Sequence, residues 1–134
     1  MIQFVPVEKR NMDGIIRLCE DEGWESYALD PEVTWKALNS AGVCTVVAEQ
    51  NEEAVGFAQM QSDGVVQAHL SLIVVARNHR RRGIGTRLIS EAFTRSGGKR
   101  VDLITEDAQA FYRSFAHKEQ CGFRMYPDGE RRNP

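Results

Sequence analysis

Residues 72–86 constrain this chain more than any other stretch: Leu-Ile-Val-Val-Ala-Arg-Asn-His-Arg-Arg-Arg-Gly-Ile-Gly-Thr. An unbroken apolar run, Leu72–Ala76, stops at a basic loop. Two glycines then open a segment with Ile84, Leu88, Ile89 and Ala92 on one helical face. A buried strand running through a short loop into a helix needs a sheet with helices on its faces. The same run is the longest apolar one in the chain, far short of the ~20 residues that cross a bilayer.

The remaining pattern alternates to match. Residues 2–6 read as a short strand. Met12, Ile15, Ile16 and Cys19 fall at i, i+3, i+4 and i+7, which predicts a helix over about 11–21, ended by Gly23. Asp30-Pro31 supplies an N-cap and a first-turn proline for a second helix with Trp35 and Leu38, stopped by Gly42. Val43–Glu49 and 54–62 read as a hairpin around Asn51–Glu53. Asp63-Gly64 reads as a second hairpin turn, leading into a long strand, Val65–Ala76. After the helix from Gly83 to about Arg95 come a strand, Val101–Thr105, a helix marked by Ala108, Phe111, Tyr112 and Phe115, and a short strand at Phe123–Tyr126. Hairpins followed by a βαβ crossover predict a single α/β (α+β) domain over 1–134, a mixed sheet flanked by about four helices. The polar tail Asp128–Pro134 is expected to fray.

Composition removes several function classes. At 134 residues, 42% hydrophobic and 27% charged, the chain can bury a core without disulfides or metal. Cys19, Cys44 and Cys121, like His69, His79 and His117, lack the spacing of metal ligands or a disulfide framework. No metal and a reducing, cytoplasmic compartment are therefore expected. The start, Met-Ile-Gln-Phe-Val-Pro-Val-Glu-Lys-Arg, lacks the basic-then-apolar order of a signal peptide. Seventeen Lys+Arg against nineteen Asp+Glu, net −2, argues against nucleic acid as a partner. Neither sequence class nor hydropathy implies a membrane partner.

The chemistry converges on the loop. The first turn of a helix carries unpaired N–H groups and the positive end of the macrodipole, so anions bind there. Gly83 and Gly85 let a phosphate approach the backbone, and Arg80, Arg81 and Arg82 add charge. The Walker pattern is absent, and the dinucleotide fingerprint fails after Gly85, where Thr86-Arg87-Leu88 follows. The pattern [R/Q]-x-x-G-x-G does fit, as Arg80-Arg81-Arg82-Gly83-Ile84-Gly85. A solvated basic turn is the bland alternative; two glycines at a helix start cost ~1 kcal/mol each relative to alanine, which weighs against it.

With that pattern, the valine-rich strand before it and the helix of Ala108, Phe111 and Tyr112 after it, the chain resembles the GNAT superfamily of N-acetyltransferases. The resemblance implies an acyl-CoA N-acyltransferase fold and acetyl-CoA as acyl donor, with a small-molecule or peptide amine as acceptor. By the same resemblance, amides of Arg80, Arg81, Arg82, Gly83, Ile84, Gly85 and Thr86 hold the pyrophosphate. The strand Ile73, Val74, Val75 pairs with the pantetheine arm, and Val101–Thr105 forms the groove's second wall. Tyr112 matches the tyrosine that faces the coenzyme sulfur and protonates the leaving thiolate. His69 stands where family members place a base; imidazole titrates near neutral pH, which suits that role. Glu106 is the weaker candidate. The segment Glu20-Asp-Glu-Gly-Trp-Glu-Ser-Tyr27 shapes the acceptor site, its carboxylates and aromatics suiting a cationic amine.

Two departures from the family pattern stand out. Thr105 replaces a common Asn, and Ala116 replaces the glycine of a Gly-Phe pair that here arrives late, as Gly122-Phe123. The last hairpin must be shortened, and a second copy of the chain is one way to complete the sheet edge. Two other functions remain open at this level: an acyl-CoA sensor without turnover, and an RNA-binding domain built on Arg77–Arg87.

Overall fold

The computed structural model describes residues 1–129; the expectation for the last five residues of the tail lies outside that range. Contacts divide the chain into Met1–Asp102 and a unit beginning at Leu103.

The first unit is a five-stranded sheet in the order β1-β2-β3-β4-β5, with β1 Gln3–Pro6, β2 Val43–Gln50, β3 Glu53–Ser62, β4 Gln67–Val75 and β5 Arg100–Asp102. The first four pair antiparallel and β5 joins β4 in parallel, so the sheet is mixed. One face carries α1 (Met12–Glu22), the single turn α2 (Glu25–Ala28) and α3 (Pro31–Leu38). There Ile15, Leu18 and Cys19 pack with Leu38, Val47, Phe57 and Val74. Strand alternation puts Val46, Ala48, Ala58 and Met60 on the other face, under α4 (Ile84–Ser96). Among the described residues no helix is long and apolar enough to cross a membrane.

Local chemistry explains the boundaries. Asp30 caps α3, its side chain accepting from Val33 N at 3.2 Å, with Pro31 following in the first turn. Gly23 ends α1 in the left-handed region. The predicted strand Val65–Ala76 begins two residues late, because the Asp63 carboxylate accepts from the amides of Val65, Val66 and Gln67. Those bonds hold Asp63 below the usual carboxylate range and replace the expected two-residue turn with a wider loop. The α2 turn was not expected; Trp24 and Tyr27 pack beside it against the α1 cluster. The fifth strand stops at Asp102 rather than Thr105.

β4 changes face partway along. Met60 pairs with Leu70 and Gln59 with Leu72, leaving Ser71 as an extra residue. The bulge reverses the alternation, so Leu70 sits on the α4 face while Leu72 and Val74 join the α1 cluster.

The second unit holds α5 (Gln109–Arg113). In the turn before it the Thr105 hydroxyl accepts from Ala108 N at 3.1 Å, while no side chain caps the helix itself. Phe111 stacks edge-on with Tyr112 and Phe115 at 5.0 and 5.4 Å. Gly122 folds back on Ile104, where an added Cβ would stand 3.2 Å from the Ile104 side chain. The strand expected at Phe123–Tyr126 is absent: no strand lies within the described residues of this unit, and Phe123 and Met125 are largely solvent-exposed.

Candidate functional site

The loop between β4 and α4 is built to leave amides exposed. Residues 77–79 form a 3₁₀ turn after Ala76. Arg81 then takes a left-handed conformation at φ 64, and Gly83 does the same at φ 79 as N-cap of α4. A non-glycine residue there costs ~1–2 kcal/mol, so the loop's shape is held against a local preference. No side chain caps α4. Its first intrahelical bond runs from Arg87 N to Gly83 O, which leaves the amides of Ile84, Gly85 and Thr86 without a helical acceptor. A Cβ built on Gly83 meets nothing within 4 Å, so the space beside it is open. That opening, with the dipole behind it, suits a pyrophosphate.

The three arginines divide. Arg81 and Arg82 are exposed and make no hydrogen bond or ion pair among the described residues. Arg80 is committed: its Nε donates to Val75 O at 2.9 Å and its Nη2 to Glu22 Oε1 at 2.9 Å. His79 is committed too, with Nε2 2.7 Å from Gln50 Oε1 and Nδ1 2.8 Å from Asn78 Oδ1. Nothing in the local sequence announced Glu22 or Gln50 as partners, since both lie far away along the chain.

The strand beside the loop has an open edge. β5 pairs only with Gln67, Ala68 and His69, so within Met1–Asp102 the β4 backbone from Leu70 to Val75 has no strand on that side. Ile73, Val74 and Val75 occupy this stretch, running directly to the loop. An amide-rich arm can add to such an edge as a strand does.

His69 lies at the far end of β4, beyond the bulge. It lines an open cavity of about 400 Å³ with Gly42, Gln61, Ser62, Asp63 and Gln67. Gln61 Nε2 donates to the Ser71 hydroxyl at 2.9 Å and ties the bulge to β3. In the segment 20–27, Trp24 and Tyr27 are half-buried against the core, and Glu20, Asp21 and Glu25 are exposed. In the second unit, burial raises the Tyr112 phenol above its ordinary pKa, which keeps it protonated and able to donate at neutral pH. Among the described residues there is no group of three or more His, Cys, Asp or Glu placed to hold a metal.

A family model described as an acetyltransferase (GNAT) domain matches residues 41–118, more than half of the 134. No curated protein sequence matches the chain. Among solved structures, a GNAT-family acetyltransferase from Streptococcus pneumoniae TIGR4 superposes with a TM-score of 0.76 at 24% identity, covering 97% of this chain and 100% of that one. A putative acetyltransferase from Deinococcus radiodurans R1 gives 0.75 at 26% identity, covering 94% and 88%. The structure of AAC(6')-Iy with the bisubstrate analogue CoA-S-monomethyl-acetylneamine gives 0.70 at 18% identity, covering 94% and 98%. The chain therefore belongs to the GNAT acetyltransferase family.

Proposed function

We propose that residues 1–134 act as one N-acetyltransferase domain that moves the acetyl group of acetyl-CoA to a primary amine. One observation carries the donor assignment: three unpartnered amides, Ile84, Gly85 and Thr86, open beside a glycine with free space around it. Gly83 and the amides of 84–86 would hold the pyrophosphate, with the exposed Arg81 and Arg82 as counter-charges and the open edge at Ile73–Val75 receiving the pantetheine arm. The bound donor supplies a thioester. The amine nitrogen forms a bond to its carbonyl carbon, the C–S bond breaks, and coenzyme A leaves as thiolate. Tyr112 is the proposed proton donor to that sulfur; a thiol near pKa 8.5 is a good leaving group beside a neutral phenol. His69, or a water it holds, is the proposed acceptor of the proton the amine loses. A structure of a relative with a linked CoA–amine analogue supports direct attack over a ping-pong route.

The acceptor is proposed to be a cationic small-molecule or peptide amine, drawn by the exposed carboxylates at 20–25. Thermal shift with acetyl-CoA, CoA and NADH in parallel tests the donor. Stabilisation by both coenzyme A forms and none by NADH is expected; no shift with either overturns the assignment. An amine panel scored by free-thiol release then tests transfer. Acetylation confined to neutral or acidic acceptors removes the cationic-acceptor reading. Coenzyme binding with no release across the panel favours a sensor.

A further inference from the structure

The ion pair between Arg80 and Glu22 joins the phosphate loop to the end of α1, and its place in the loop gives it a purpose. Arg80 is the last residue before the strained Arg81. Its guanidinium bridges the final carbonyl of β4, at Val75, and the Glu22 carboxylate, each at 2.9 Å. Strained backbone persists only where surrounding contacts over-determine it. Glu22 is a firm anchor. It sits in the last turn of a helix whose Ile15, Leu18 and Cys19 are buried, with Gly23 N bonded back to the Cys19 and Glu20 carbonyls. The α1 terminus also needs a cation. It carries Glu20, Asp21 and Glu22 and no basic residue in its last turn, the wrong sign for the negative end of a helix dipole. Arg80 supplies that cation from the loop.

We propose that Glu22 is a positioning residue for coenzyme binding. Through Arg80 it fixes the loop so that the amides after Arg81 face the pyrophosphate, although Glu22 itself touches no coenzyme. The inference rests on the donor assignment above and makes a prediction of opposite sign to simple electrostatics. A carboxylate near a polyanion site repels the ligand, so its removal by Coulomb's law alone tightens binding. A carboxylate that holds the loop does the reverse.

The test is calorimetric coenzyme A affinity for the wild type, Glu22→Gln, Arg80→Ala and the double variant, with melting temperatures as a folding check. Glu22→Gln is expected to weaken coenzyme A binding about two- to fivefold, the size of a half-exposed ion pair. Arg80→Ala should weaken it about tenfold. In the Arg80→Ala background, Glu22→Gln should have no weakening effect, because the anchor has nothing left to hold. Glu22→Asp, which keeps the charge on a shorter arm, should recover part of the affinity. Unchanged or tighter binding by Glu22→Gln overturns the proposal while leaving the donor assignment intact. A wild type that binds no coenzyme A overturns both.

Discussion

Two charged clusters in the first unit are handled in opposite ways. At Glu49, every polar group is answered. Arg10 donates through Nε and Nη2 at 3.1 and 3.0 Å, Asn11 donates from its amide, and Glu8 takes the remaining Arg10 nitrogen. Arg10 and Asn11 hold the Glu49 carboxyl below its ordinary pKa despite burial. At the α4 start, the amides of 84–86 and the side chains of Arg81 and Arg82 have no such answer. The lesson is about where free energy goes. A closed network spends its hydrogen bonds on the fold, whereas an open one holds them for a ligand.

Substitutions can break that contrast. The largest effect is expected for Tyr112→Phe: turnover should fall about a hundredfold or more with coenzyme affinity unchanged, as loss of a general acid implies. Unaltered turnover in a steady-state assay removes Tyr112 from the chemistry. Gly83→Val comes next. It forces a β-branched residue to φ 79 and fills the open space. Coenzyme affinity should drop at least tenfold while the melting temperature moves only a few degrees. Equal losses of both would place the loop among the fold's supports.

Glu49→Gln should do the reverse, lowering the melting temperature by about 5–10 °C and leaving coenzyme affinity of the folded protein intact. Its pH dependence has a definite sign. Because the folded pKa is depressed, the stabilisation is full above the unfolded carboxyl value, about 4.3, and fades as pH falls through the lower folded value. Urea midpoints of wild type and variant should therefore converge in acid. Smallest is Thr105→Ala, which removes the acceptor for Ala108 N and should cost about 1 kcal/mol of local stability, read by amide exchange at Ala108.

Thr105 also shows how much of the site was legible. It departs from the family's usual Asn, yet its hydroxyl takes the Ala108 amide, a contact that depends only on a residue three positions on. The Asp30 cap and the Gly83 start of α4 were readable for the same reason. Asp63 was not, because three backbone amides answering one carboxylate cannot be told from a two-residue turn by residue type. The commitment of Arg80 was equally hidden. A run of three arginines looks uniform until folding brings Glu22 beside one of them.

The sequence by itself determined the order of the main elements from β1 to α5, α2 apart, the strand–loop–helix unit and the glycines that leave amides exposed, because those depend on spacing and on chemistry within a few residues. Only the tertiary structure decided which arginine is spent and which are free, where Ser71 reverses the faces of β4, and that Phe123–Tyr126 forms no strand. Each of those turns on partners distant along the chain, and pairing across such distances is settled by packing rather than by local pattern.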